Sequence, residues 1–186
     1  ANIDSIDLAK LDVALNSKGN GIEVDDYMRT SNQNIYAIGD VTNKMQLAHV
    51  ASRQGMIAVD HMHGINNVID YNAIHSGIFT TPEIGTVVIK ERLAKENGIV
   101  YKVAKFPMAA SGKALAMNKT KGFVKLISSE GIIIGGTIVG ENGTDMISTI
   151  TNLIVQKTDI NEGIKVIYPH PTLSEGIHES LLMLND

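Results

Sequence analysis

Near the end of the chain, Tyr168-Pro169-His170-Pro171-Thr172-Leu173-Ser174-Glu175 sets an imidazole and a carboxylate in one short segment, at a spacing that proton transfer can use. The prolines on either side of His170 fix their own φ and push the residues before them toward extended geometry, which stiffens the segment that carries the ring. Thr172 reads as the N-cap of a terminal helix, with Glu175 in its first turn and Leu173, Ile177, Leu181 and Leu184 as its apolar face. A carboxylate folded back from that turn can accept one ring N–H of His170 and fix its tautomer, leaving the other nitrogen to move protons. The same residues support a second reading. Thr172-x-x-Glu175 is a capping box, which closes a helix end without doing chemistry.

A chain of 186 residues that is 44% hydrophobic and 19% charged has the composition of an ordinary soluble globular protein, with room for one domain and a small second one. Its net charge of −4, without a Lys/Arg block, excludes the electrostatic footprint of nucleic-acid or anionic-membrane binding. The start Ala1-Asn2-Ile3-Asp4 is not a signal peptide, and no apolar run is long enough for a membrane span, so the expected location is the cytoplasm. Zero cysteine rules out disulfide staples, thiolate metal sites and a Cys nucleophile within these residues.

The elements that must position the pair follow from periodicity and turn residues. Residues 1 to 30 predict turns around short strands and no long helix. Asn34 to Ile38 predicts a short buried strand ending at Gly39-Asp40, which stands Asp40 where ligands of open α/β sheets bind. Leu47 to Met62 predicts a helix stopped by Gly64, with Ala51, Gly55 and Ala58 as a small-residue stripe for close packing. Asn-rich residues 65–73 mark a domain boundary. Beyond it come a turn and short strand, Thr80-Thr81-Pro82-Glu83-Ile84-Gly85, and a helix from Lys90 to Asn97 closed by Gly98. Strands follow over Val100–Phe106, Gly122–Ser128 and Ile132–Val139, the last two joined as a hairpin by Ser129-Glu130-Gly131. An amphipathic helix Met146–Lys157 carries Ile147, Ile150 and Ile154, and a short helix Asp159–Val166 is capped by Thr158. Strands in series flanked by helices give an α+β second half. The glycines between Gly131 and Gly143 flank a strand and match neither GxGxxG nor GxxxxGK[ST], so they are not a phosphate loop. His61, His63 and His75 lack a partner set with ligand spacing, and no metal site is expected.

His170-Pro171-Thr172-Leu173-Ser174-Glu175 resembles the C-terminal signature of the flavin-linked pyridine nucleotide-disulfide oxidoreductases, in the dihydrolipoyl dehydrogenase branch. Arg29-Thr30-Ser31, Asn34-Ile35-Tyr36-Ala37-Ile38-Gly39-Asp40-Val41, Leu47-Ala48-His49, Thr81-Pro82-Glu83-Ile84 and Gly122-Phe123-Val124-Lys125-Leu126-Ile127 fall in that family's order and spacing. The resemblance covers nearly all of this chain but only the C-terminal part of a family member. It implies that residues 1–72 are the tail of an α/β FAD-binding domain. Residues 73–186 would then be an interface domain, an antiparallel sheet flanked by helices through which such enzymes form homodimers.

The family oxidises dihydrolipoamide carried on a lipoyl domain of a 2-oxoacid dehydrogenase or related complex, through a cysteine pair and FAD to NAD. By resemblance, His170 is the proton acceptor and Glu175 its orienting partner, acting on the other subunit. Asp40 falls where a ribityl hydroxyl of FAD is bound, and Gln46, Leu47, Ala48 and His49 fall where the flavin ring is met. Backbone N–H groups and the positive end of the helix dipole there favour charge that develops on reduction. The chain departs from the pattern at Gln46, where Met is common, at Phe79 for Tyr, at Val88 for Gly and at Tyr168 for a second His. Without the cysteine pair and the family's pyrophosphate site, these residues alone are expected to be inactive and to hold FAD weakly or not at all. A reductase of another disulfide substrate and a stand-alone, non-catalytic dimerisation module are the alternatives.

Overall fold

The computed structural model describes residues 1–88 and 91–185. The chain divides into two compact units, Ala1–Tyr71 and Asn72–Asp186.

The first unit holds one long helix, α1 (Ala48–Met62), preceded by a 3-10 helix at Gly39–Thr42. Most of the remainder is turns tied by side chains: Asp25 Oδ1 accepts from the backbone N–H groups of Tyr27 and Arg29, and Asn16 Oδ1 from those of Lys18 and Asn20. In place of the predicted strands there are isolated bridges, Leu15 with Ile22 and Arg29 with Tyr36. Asn34–Ile38 is therefore not a strand, and Ile38 is exposed. The reason is local. Its neighbour, Met28 to Thr30, is bound into the Asp25 turn and offers only two backbone hydrogen bonds, to Ile35 and Ala37, so no ladder can propagate. A small core of Val13, Ile22, Met28, Ala37, Ile57 and Ala58 closes this unit. The stripe on α1 packs as its small side chains require: a Cβ at Gly55 would stand 3.3 Å from Ile38 Cδ1, and one at Gly39 3.2 Å from Ala51 Cβ.

The second unit is a five-stranded antiparallel sheet: β1 (His75–Ile78), β2 (Glu83–Val88), β3 (Lys102–Pro107), β4 (Phe123–Ser129) and β5 (Ile132–Gly140), in the order β1-β2-β5-β4-β3. Short helices α2 (Glu91–Glu96) and α3 (Gly112–Ala116) lie in its connections. The start predicted for α2, Lys90, lies outside the described residues. Strand β1 carries too short and mixed a pattern to be read in advance, and it forms because β2 gives it four paired positions. Helices α4 (Gly143–Val155) and α6 (Glu175–Asn185) bury their apolar sides, with α5 (Ile160–Ile164) between them in sequence. One core unites Leu126, Ile133, Ile138, Ile147, Ile150, Ile177 and Leu181.

Two close approaches fix this packing. Gly85 lies where a Cβ would stand 2.3 Å from the Gly143 carbonyl, so α4 can start directly over β2. Glu83 completes that start by accepting from the backbone N–H and hydroxyl of Thr144, at 3.1 and 2.6 Å, which holds its carboxyl below the ordinary value. Helix α5 is capped by Asp159, whose Oδ1 accepts from Asn161 N–H at 2.8 Å. Thr158, the predicted cap, is instead tied by its backbone to Leu153 and Ile133.

Candidate functional site

The terminal helix is pinned before it is asked to hold anything. Leu173, Ile177, Leu181 and Leu184 are buried as the sequence pattern requires. Gly176 lets α6 sit close on β4, where an added Cβ would be 3.1 Å from Val124 Cγ2. Ser180 lies in the contact, its hydroxyl donating to Gly176 O at 2.8 Å and standing 3.3 Å from Val124 O. The approach to the helix is held by Tyr168, half-buried against the core, its ring 5.5 Å from that of His178 and its hydroxyl pushed up in pKa by burial. His178 itself bonds the Ile164 carbonyl through Nε2.

On this base the structure brings His170 and Glu175 together. His170 Nδ1 is 2.7 Å from Glu175 Oε1, and Glu175 Oε2 accepts from the Thr172 backbone N–H, also at 2.7 Å. Both carboxylate oxygens are thus committed, and the bond from His170 followed by that from Thr172 holds the Glu175 carboxyl below its ordinary value of 4.5. An ionised carboxylate only accepts, so the proton of the short bond is on Nδ1, and in the neutral ring the lone pair is then on Nε2. The His170 side chain is 78% exposed and that of Glu175 31%. The imidazole therefore offers solvent a basic nitrogen whose orientation is set from behind. It borders an open pocket of about 250 Å³, with Phe106, Ser111, Gly112 and Glu179 on its other sides.

Half of the predicted capping box forms. Glu175 reaches back to Thr172 N–H as expected, but the Thr172 hydroxyl does not turn toward the helix. It donates to Pro169 O at 2.7 Å and lies 2.9 Å from Ser174 Oγ. The first turn instead starts with bonds from Gly176 and Ile177 to Leu173 and Ser174. Ser174 was not legible as a site residue; its hydroxyl two places from a threonine is a weak signal in a sequence.

The residues matched to a flavin lie in the first unit. Asp40 is exposed in the 3-10 helix, Gln46 donates to Asn43 Oδ1, and Leu47 is the N-cap of α1 with no side chain closing the helix end. Ala48 and His49 form the exposed first turn. An uncapped helix start with backbone donors and a nearby carboxylate fits the carbonyl edge and a hydroxyl of such a cofactor. Gln54, which the sequence reading missed, is fully buried beneath them. Its Oε1 accepts from Gly39 N–H at 2.6 Å and its Nε2 donates to Tyr71 OH at 2.9 Å. Its place on the Ala51 and Ala58 face was the available signal. Among the described residues no group of three or more His, Cys, Asp or Glu could hold a metal ion, and no helix is long and apolar enough to cross a membrane.

The family described as the dimerisation domain of the pyridine nucleotide-disulphide oxidoreductases matches residues 74–181, and the pyridine nucleotide-disulphide oxidoreductase family itself matches residues 2–55. The chain belongs to this family. The dihydrolipoyl dehydrogenase of Chlamydia muridarum is 42% identical over all of the chain, and that of Geobacillus stearothermophilus 40% identical over 94% of it. The chain spans about 40% of the length of these curated relatives. Among solved structures, LpdA from Mycobacterium tuberculosis superposes with a TM-score of 0.91 at 29% identity, covering 98% of this chain and 40% of its own. The second unit therefore has the dimerisation-domain fold of a flavoprotein oxidoreductase family.

Proposed function

We propose that this chain is the C-terminal part of an FAD-dependent dihydrolipoyl dehydrogenase that oxidises protein-bound dihydrolipoamide with NAD in the cytoplasm, and that it acts as a homodimer. Residues 1–72 complete the FAD-binding domain and residues 73–186 form the interface domain. The observation that carries the reading is the 2.7 Å bond from His170 to Glu175, in a family-matched domain whose curated relatives bear that enzyme's name.

The overall reaction takes two electrons and two protons from the dithiol as its S–S bond closes; NAD accepts a hydride and the second proton passes to solvent. His170 is the catalytic base: its Nε2 takes a thiol proton, and the thiolate left behind attacks the family's redox disulfide, supplied outside these 186 residues. Glu175 stabilises the imidazolium so formed and returns the ring to the same tautomer when the proton leaves. Asp40, Gln46, Leu47, Ala48 and His49 would hold one edge of FAD, which when bound carries the electron pair from the dithiol toward NAD. The isolated 186 residues are inactive and hold FAD weakly or not at all.

The test is turnover by the complete native polypeptide. NADH formation driven by dihydrolipoamide on a lipoyl domain, with NADP a poor substitute, is expected. Efficient reduction of glutathione disulfide by NADPH, with no use of dihydrolipoamide, would overturn the reading.

A further inference from the structure

We infer that Thr172 is a positioning residue for the His170 and Glu175 pair, acting through its hydroxyl and not as a helix cap; the inference rests on the proton-acceptor reading above. The Thr172 backbone N–H holds Glu175 Oε2, and the hydroxyl of the same residue donates to Pro169 O. One residue thus grips both sides of the segment that carries the imidazole, with Pro169 just before His170 and Glu175 just behind its Nδ1. Because the Thr172 hydroxyl spends its one hydrogen on Pro169, the 2.9 Å contact to Ser174 is a donation from Ser174 Oγ. The result is a short relay, Ser174 to Thr172 to Pro169, whose members strengthen one another.

A cap would be spent on the first free N–H groups of α6, whereas here the hydroxyl turns away from them. What it restrains is the exposed loop carrying a ring that is itself 78% exposed and so has little packing to hold it. Loss of the hydroxyl leaves the ring and Glu175 chemically intact but lets the Pro169 carbonyl, and with it the ring, move relative to α6.

The experiment uses the complete enzyme and four substitutions, Thr172→Val, Thr172→Ser, Ser174→Ala and His170→Gln, with Thr172→Val and Ser174→Ala also combined with His170→Gln. Thr172→Val is nearly isosteric and keeps the backbone N–H. It is expected to lower kcat roughly tenfold with KM little changed, while Thr172→Ser restores most of the rate. Combined with His170→Gln, Thr172→Val should cost nothing further, since the base it positions is gone. A residue that only stabilised the helix would lower the melting temperature and slow both backgrounds alike. Equal slowing of both backgrounds, or failure of Thr172→Ser to restore the rate, overturns the inference. If Thr172→Val does not fold with bound flavin, Ser174→Ala must show the same non-additivity at a smaller effect, and additivity there overturns it. A Thr172→Val enzyme as fast as the wild type beside a crippled His170→Gln sinks this inference alone, whereas an unaffected His170→Gln sinks the proton-acceptor reading as well.

Discussion

The two units of this chain are held together in different ways. In Asn72–Asp186, a ladder gives each of the five strands a paired neighbour, and α4 and α6 bury apolar faces on it. In Ala1–Tyr71, one helix and a set of side-chain-tied turns surround a small core, and the extended segments find single bridges instead of a sheet. Backbone hydrogen bonding is cooperative in the first case and piecemeal in the second. The lesson is that the unit with the His170 and Glu175 pair builds its own scaffold, while the unit with the flavin-matched residues depends on a few buried polar contacts such as Gln54.

The sharpest way to break that contrast is to attack the ladder itself. Gly122 has φ +126°, and a Cβ there would stand 1.8 Å from the Val139 carbonyl, where the start of β4 meets the end of β5. Gly122→Ala is expected to cost more than about 4 kcal/mol and to unfold the second unit as a whole, read by loss of its cooperative denaturation. A folded variant with unchanged melting would show that this junction is not what makes the unit cooperative.

A smaller and more local effect is expected in the first unit. Gln54→Leu strips Gly39 N–H and Tyr71 OH of their partner, at a cost of about 1–3 kcal/mol. In the complete enzyme it should weaken flavin retention while kcat of the flavin-loaded fraction stays near normal, measured by equilibrium dialysis and by assay at saturating FAD. Unaltered retention would contradict the dependence of that unit on its buried amide.

The smallest effect is the pH response of the second unit. Glu83 is lowered by its bonds to Thr144, Glu91 by its bond to Lys125 and Glu175 by its bond to His170. A carboxyl lowered on folding contributes stability that is fully present above its unfolded value of about 4.5 and is lost as pH falls through its folded value. Thermal melts should therefore be flat from neutral pH down to that region and fall on its acid side. These carboxylates are partly exposed to solvent, which screens their bonds, so the fall is modest.

The same contrast governed what could be read in advance. Strands β3 to β5, the hairpin joining β4 and β5, α4 and the apolar face of α6 were legible because each is a local period ended by a turn residue. Strand β1 was not, since four residues carry too little pattern and their pairing is set by β2. Asn34–Ile38 misled because its apolar run has a strand's composition but no neighbour long enough to pair with. At the site, His170 and Glu175 were visible from type and spacing. The hydroxyls of Thr172 and Ser174 were not, because a threonine before a helix signals a cap and only the geometry shows where its proton goes.

The most direct measurement of the central claim is the rate at which dihydrolipoamide reduces the complete flavoenzyme, compared between wild type and His170→Gln by stopped flow. A fall on the order of 10²-fold or more, with flavin content and melting temperature unchanged, is the predicted result. A reduction rate within a few fold of wild type would show that His170 is not the base and that its bond to Glu175 only shapes the helix start.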